Sequence, residues 1–298
     1  MMTTLKEISV EITNACNASC IMCNHRHMKR PVVHMDLGLL NKIIGEAIIM
    51  NPEPSVVSLC GIGDPLLHPK LEEVLKIASR APRVTTGTNV QELDKEKRKW
   101  LMDARFTDIV LSIDATTSET HAKIRTGLEF ELVKRNAIDF LDDLRGRERF
   151  WRTIYIQLVV TKMNQYEIKD FIDFWTEKIA DLDGVLVFIK PLCPWPGIDD
   201  STYPGPEIVP YEVSKVLWGP FKKPLTFRDN CNLFNNMVLI QSDGSYQPCC
   251  MATDDEFKIG NVKDNTIMEL YNSPQMNRLR KLQVEKRFDE IPFCSKCT

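Results

Sequence analysis

The chain has 298 residues, a formal net charge of −3, 43% hydrophobic and 27% charged residues, the profile of a globular protein. That balance argues against nucleic acid as its main partner, and no apolar run approaches the ~20 residues that span a bilayer. With no signal-peptide pattern at the N-terminus, the chain is expected to be cytoplasmic, where its ten cysteines are expected to bind metal or do redox chemistry rather than pair.

Taken in chain order, Ile8, Val10 and Ile12 alternate with polar residues and predict a strand. Asp36 is placed to cap a helix whose apolar face is Leu40, Ile43, Ile44, Ala47 and Ile48. Residues 55–59 read as a short buried strand, and Leu71, Val74, Leu75 and Ala78 as the next helical face. A third strand (83–86) precedes a charged helix at 94–103, and a fourth strand spans 108–113. Val133, Ala137, Leu141 and Leu144 mark a helix, 153–160 a fifth strand. Ile168, Phe171, Ile172, Trp175 and Ile179 mark another helix, and 185–190 a sixth strand.

Such alternation implies parallel strands with right-handed crossovers. Six units are too few for a closed eight-fold barrel. The expected fold is α/β, a partial (β/α)6 TIM-like barrel over 1–200, although a flat doubly wound sheet has the same periodicity. Residues 191–224, crowded with Pro and Gly, read as a loop-rich linker. A hairpin is expected at 237–241 and 245–247 around Asp243-Gly244. Two short helix patterns follow, at 266–271 and through Met276, Leu279 and Leu282.

The cysteines fall in two groups. Cys16-Asn-Ala-Ser-Cys20-Ile-Met-Cys23 follows the first strand with C-x3-C-x2-C spacing. Three thiolates so spaced can hold three corners of a cubane cluster and leave one iron open. The competing reading is zinc with His25 or His27 as fourth ligand. His34 reads as a loop or substrate-facing residue. In the second group are Cys231, Cys249 or its neighbour Cys250, Cys294 and Cys297. Four cysteines would hold either an iron–sulfur cluster or a structural zinc.

The first group, with its position after the first strand, resembles the signature of the radical S-adenosylmethionine (SAM) superfamily. The resemblance implies a [4Fe–4S] cluster on Cys16, Cys20 and Cys23, with SAM chelating the open iron. One electron then cleaves SAM to a 5′-deoxyadenosyl radical, which abstracts hydrogen from a substrate. It also implies flavodoxin or ferredoxin as electron donor. Cys60-Gly-Ile-Gly-Asp-Pro65 resembles the family's Gly-Gly-Glu-Pro segment, with Ile62 and Asp64 as departures. It places Gly61, Gly63 and Asp64 near the SAM amino group. Residues 85–89, ending in Asn89, resemble a Thr-Asn-Gly stretch, and Ser112-Ile-Asp114 a Ser-x-Asp segment that meets ribose or carboxylate. Arg125 is a further carboxylate contact, while Met22 and the backbone at Val160 are adenine contacts.

The Cys231-x12-Gly244-x4-Cys249 run resembles the opening of the SPASM domain. With Cys294 and Cys297 it implies one auxiliary [4Fe–4S] cluster in a short, twitch-type unit over 201–298, fully ligated and suited to electron transfer. Cys249 completes the G-x4-C spacing and is preferred to Cys250. Cys193, after the sixth strand, is a candidate hydrogen or proton donor. Trp195 and Tyr203 are candidates for the substrate entrance, and Cys60 reads as a buried strand-end residue. The expected reaction is oxidation of a small molecule. Its alternatives are a peptide-modifying maturase, which the early first strand argues against because many such relatives carry a leader-binding domain ahead of the barrel, and a non-catalytic iron–sulfur or zinc protein. Neither nucleic acid nor a membrane is an expected partner.

Overall fold

The computed structural model describes residues 5–50, 56–192, 195–196, 231 and 233–297. Six parallel strands come first: β1 (Glu7–Val10), β2 (Val56–Leu59), β3 (Arg83–Thr88), β4 (Asp108–Ser112), β5 (Thr153–Val160) and β6 (Val185–Pro191). Between them run α1 (Leu37–Met50), α2 (Leu71–Ala78), α3 (Lys95–Asp103), α4 (Ser118–Ile124), α5 (Phe130–Arg145) and α6 (Ile168–Ile179). The C-terminal part supplies α7 (Leu233–Asn236), β7 (Met237–Ile240), β8 (Ser245–Gln247), β9 (Gly260–Asn261), α8 (Ile267–Tyr271) and α9 (Pro274–Val284).

One nine-stranded sheet carries the order β6-β5-β4-β3-β2-β1-β7-β8-β9. The first six strands form the expected partial barrel. β7 adds in parallel to β1, with Glu7 opposite Met237 and Val10 opposite Ile240, and β8 and β9 follow antiparallel. The C-terminal unit therefore extends the barrel's own sheet.

Strand alternation decides the two faces. Val10, Val57, Leu111, Ile154, Ile156 and Leu158 are fully buried under the helices, each worth about 1.5–3 kcal/mol of burial. The other face carries polar side chains at β2–β5, where Thr85 Oγ donates to Ser58 Oγ at 3.0 Å and Gln157 Nε2 to Ser112 Oγ at 3.4 Å, and an aromatic pair, Tyr155 and Phe188, at β5–β6. Glu7 lies on that face beside Ser9, whose hydroxyl it accepts at 3.2 Å.

The helix starts follow capping chemistry. Asp36 Oδ1 accepts the amides of Gly38 and Leu39, and Asp94 those of Glu96 and Lys97. Thr266 and Glu269 form a reciprocal capping box on α8. The Asp243-Gly244 turn closes β7 and β8 with Gly244 at φ +90°, a conformation that favours glycine.

Some boundaries differ from the sequence expectation. Ile48 is 36% exposed and leaves the apolar face of α1. It lies one helical turn beyond Ile44, in the last turn of α1. β4 stops at Ser112 because Ile113 and Asp114 turn their amides to the single carbonyl of Gln157. Cys60 is half-buried, since it lies on the open inner face. Cys193, Tyr203 and most of the expected 191–224 linker lie outside the described residues.

Candidate active site

The chain leaves β1 through Glu11, Ile12, Thr13 and Asn14, all buried, and enters the cysteine loop. That loop passes so close to the 61–63 segment that side chains are excluded there. A Cβ on Gly63 would sit 2.5 Å from the Thr13 carbonyl oxygen and 2.6 Å from that of Ala15. One on Gly61 would sit 2.5 Å from Glu11 Cβ. Gly63 is thus required by close backbone approach and Gly61 by the Glu11 side chain packed against it, and Gly61 itself is exposed at the strand end.

Each sulfur of the trio accepts a hydrogen bond, and the Ala18 amide adds a further one at Cys16. Asn89 Nδ2 reaches Cys16 Sγ at 3.9 Å, Arg125 Nη1 reaches Cys20 Sγ at 3.6 Å, and the His25 amide reaches Cys23 Sγ at 3.4 Å. A neutral thiol is a weak acceptor, whereas a metal-bound thiolate is a strong one. Burial pushes the Cys16 thiol up to about 12 and the Cys23 thiol up to about 11. Thiolates here therefore need a metal partner to form near neutrality.

The three sulfurs influence one another electrostatically. Yet no three His, Cys, Asp or Glu side chains among the described residues converge on a single metal ion. A zinc ion needs its ligands about 2.0–2.3 Å from one point. A cubane spreads three thiolates over three corners. The donor set, three thiols and no fourth ligand among the neighbouring histidines, fits the cluster. His25 is engaged elsewhere, its Nε2 donating to the Asn14 carbonyl at 3.0 Å, and His34 Nδ1 is 2.8 Å from Thr13 Oγ.

The remaining expected residues surround the loop. Asp64 is buried, and its carboxylate accepts from the amides of Leu66 and Asn89 at 3.0 and 2.7 Å and the Thr88 hydroxyl at 3.0 Å. It joins the 61–66 turn to the end of β3. Burial pushes its carboxyl upward against those donors. Asn89 also binds Asn17 Oδ1 at 2.7 Å. Asp114, at φ +64°, receives Arg125 Nε at 2.7 Å and the Val159 amide at 2.6 Å. Burial opposes the charge on Arg125, but Asp114 outweighs it and holds the guanidinium above its usual range. Ser112 is half-buried on the inner face, Met22 is half-buried beside the cysteines, and the Val160 side chain points into the helical layer. Trp195 Nε1 donates to the Met22 carbonyl at 3.0 Å, tying the chain after β6 to the cluster loop.

In the C-terminal group, Cys249 and Cys294 are buried, Cys231 and Cys297 half-buried, and Cys250 exposed. A hydrogen bond to Cys250 and burial push the Cys249 thiol up, and Cys231 adds to the effect. The Met251 amide reaches Cys249 Sγ, and Gln283 Nε2 reaches Cys231 Sγ, both at 3.5 Å. Cys250 instead lies within electrostatic reach of Glu7 and Lys190 on the barrel strands.

Sequence reasoning missed Glu11, Asn24, Arg30 and Thr253, which tie the cluster loop to the C-terminal unit, and His121, buried on α4 with neither ring nitrogen bonded. An acid between Val10 and Ile12 reads as the polar member of an alternating strand. Only its place opposite Gly61 signals otherwise.

A partial parallel barrel whose first strand opens into three donor-tuned thiols defines a radical SAM enzyme. The radical SAM superfamily model matches residues 10–174, more than half of the chain, and the chain belongs to that superfamily. Residues 231–298 match the SPASM iron–sulfur cluster-binding domain. Its cofactors are accordingly [4Fe–4S] clusters and SAM. A tungsten-containing aldehyde ferredoxin oxidoreductase cofactor-modifying protein from Pyrococcus furiosus is 24% identical, over 99% of this chain and 87% of that protein. Among solved structures, BtrN in complex with AdoMet and 2-DOIA is similar at TM-score 0.64 and 16% identity, covering 100% of this chain and 94% of that one. The native anSMEcpe structure with bound AdoMet and a peptide is similar at TM-score 0.68 and 17% identity, covering 99% and 88%. No helix among the described residues is long and apolar enough to cross a membrane.

Proposed function

We propose that this radical SAM enzyme oxidises a polar small molecule, removing hydrogen from a carbon that bears a hydroxyl or amino group. The observation that carries this reading is the inner barrel face, where Ser9, Ser58, Thr85, Ser112 and Gln157 present hydroxyls and an amide beside Glu7. Such a surface matches a hydroxylated substrate better than an apolar one. With cluster and SAM bound, the site supplies one-electron cleavage of SAM to the 5′-deoxyadenosyl radical.

The chain's own residues hold and orient. Cys16, Cys20 and Cys23 are the cluster ligands, with Asn89, Arg125 and the His25 amide donating to their sulfurs. The exposed Gly61 backbone, the Gly63 turn, Ser112 and the Met22 and Val160 positions form the SAM cradle. Asp64, Asp114 and Arg125 support it from beneath. Cys231, Cys249, Cys294 and Cys297 hold the auxiliary cluster, with buried Cys249 preferred to exposed Cys250. Full ligation suits that cluster to receive the substrate's second electron. Cys193 is kept as a candidate hydrogen or proton donor, flavodoxin or ferredoxin as the electron source, and the cytoplasm as the location. The units are taken as 1–200 and 201–298.

A second reading, modification of a peptide, is favoured by the likeness to the peptide-bound anSMEcpe structure. The deciding experiment is anaerobic reconstitution with iron and sulfide, then assay of 5′-deoxyadenosine from SAM and reductant with hydroxylated small molecules or peptides. About eight irons per chain and 5′-deoxyadenosine stimulated by a small alcohol or amine support the proposal. Stimulation by peptides alone overturns it in favour of the second reading. No release at all leaves a non-catalytic iron–sulfur protein.

A further inference from the structure

Glu11 is 1% exposed and lies one residue beyond β1, among three segments distant in sequence. Its Oε2 accepts Arg30 Nη2 at 2.5 Å and the Ile62 amide at 3.2 Å. Its Oε1 accepts the Ser242 amide at 3.1 Å and the Ser242 hydroxyl at 2.9 Å. One carboxylate thereby joins the loop that follows Cys23, the 61–63 turn and the β7–β8 turn. Arg30 extends the junction, donating from Nε to the Thr253 carbonyl at 2.6 Å. Asp254 Oδ1 accepts the amides of Lys29 and Arg30 at 2.9 and 3.1 Å, and Asn24 Nδ2 reaches Thr253 Oγ at 2.5 Å. Residues 253 and 254 follow Cys249 by four and five positions, and Asn24 follows Cys23 directly.

Breaking up a buried carboxylate with four donors is costly, because its partners are then left buried and unpaired. The flanking positions, Val10 and Ile12, are held by aliphatic packing. We propose that Glu11 is a positioning residue for SAM: through Arg30 and Ser242 it makes the C-terminal unit hold the cluster loop and the 61–63 turn in register. Occupancy of the SAM site and order in the β7–β8 turn are then coupled, and the coupling acts in both directions. The inference rests on superfamily membership and not on the substrate class.

The test uses Glu11→Gln, Ser242→Ala and the double variant Glu11→Gln/Arg30→Gln, each reconstituted and compared with wild type. SAM affinity is read from the spectral shift of the cluster, and amide hydrogen exchange of Ile62 and Ser242 is read in the metal-free chain. Glu11→Gln is expected to keep its iron, weaken SAM binding about tenfold and speed exchange at Ile62. Ser242→Ala, which removes one donor only, is expected to shift both readouts the same way by less. The double variant, which also removes the Arg30 ties to Thr253 and Ser242, is expected to weaken SAM binding at least as much as Glu11→Gln alone. Wild-type SAM affinity in Glu11→Gln overturns the proposal, as does faster exchange spread evenly over β1–β6 without loss of affinity. Should Glu11→Gln fail to fold, Ser242→Ala decides, and unchanged affinity and exchange there overturn the proposal.

Discussion

Arg125 and Asp114 form a buried ion pair, Nε to Oδ2 at 2.7 Å, whose guanidinium also touches Cys20 Sγ at 3.6 Å. The Asp114 side chain is fully buried, and its other oxygen accepts the Val159 amide. Arg125→Met should therefore leave a buried carboxylate without its counter-charge and destabilise the metal-free chain by ~3–5 kcal/mol. Denaturant unfolding checks this. A loss under 1 kcal/mol would mean that solvent reaches the pair.

Gly63→Ala should disturb the cluster loop directly. The added methyl meets two carbonyl oxygens of the 13–15 backbone, neither of which can swing aside. A cost of ~1–3 kcal/mol is expected, together with reduced iron uptake on reconstitution. Gly146→Ala is the control, since nothing lies within 4 Å of its Cβ position. It should melt as wild type does.

Stability should fall as acid reaches His121. Burial, with Arg125 nearby, lowers its folded value from the usual 6.5 to about 4. Between those values the unfolded chain binds a proton that the folded chain refuses. The stability held above about pH 6.5 is thus lost progressively as pH falls toward 4. His121→Leu should flatten that slope and raise the melting temperature, because neither ring nitrogen has a partner to lose. Melting curves across that range decide it; an unchanged slope would assign the acid sensitivity to other groups.

Removing Cys231 and Cys294 together, as alanines, should remove about half of the iron and leave the SAM-responsive signal of the other cluster. Gln283→Leu deletes the amide that reaches Cys231 Sγ at 3.5 Å. A donor to sulfur stabilises the added charge of a reduced cluster, so its loss should make the auxiliary potential more negative. Redox titration followed by EPR reads the shift, and a more positive potential would contradict the assignment of Cys231.

The strands and most helices were legible because each buries one face at a fixed period, as Ile154, Ile156, Leu158 and Val160 do on β5. α4 was not, since its seven residues bury only His121 and Ile124. The parallel pairing of β7 with β1 was equally invisible, because register between segments some 230 residues apart leaves no local pattern. At the site, the cysteines and glycines declared themselves by spacing. Asp64 was expected at the SAM amino group, and its oxygens also accept from Thr88, Leu66 and Asn89. Type and position in a motif do not show whether a carboxylate is already committed to its neighbours. Glu11 and Arg30 belong to the same class: they matter only through partners that folding brings near.

The pairing of β7 with β1 bears on how this chain can be dissected. β1 has a hydrogen-bonded neighbour on either side, β2 and β7. A fragment ending before Met237 would leave a row of unanswered amides and carbonyls beside the cysteine loop, a ready template for another chain. Aggregation, rather than a soluble half-enzyme, is the expected fate of such a truncation. The auxiliary unit thus acts as a protective selvedge for the catalytic fabric as well as a seat for iron.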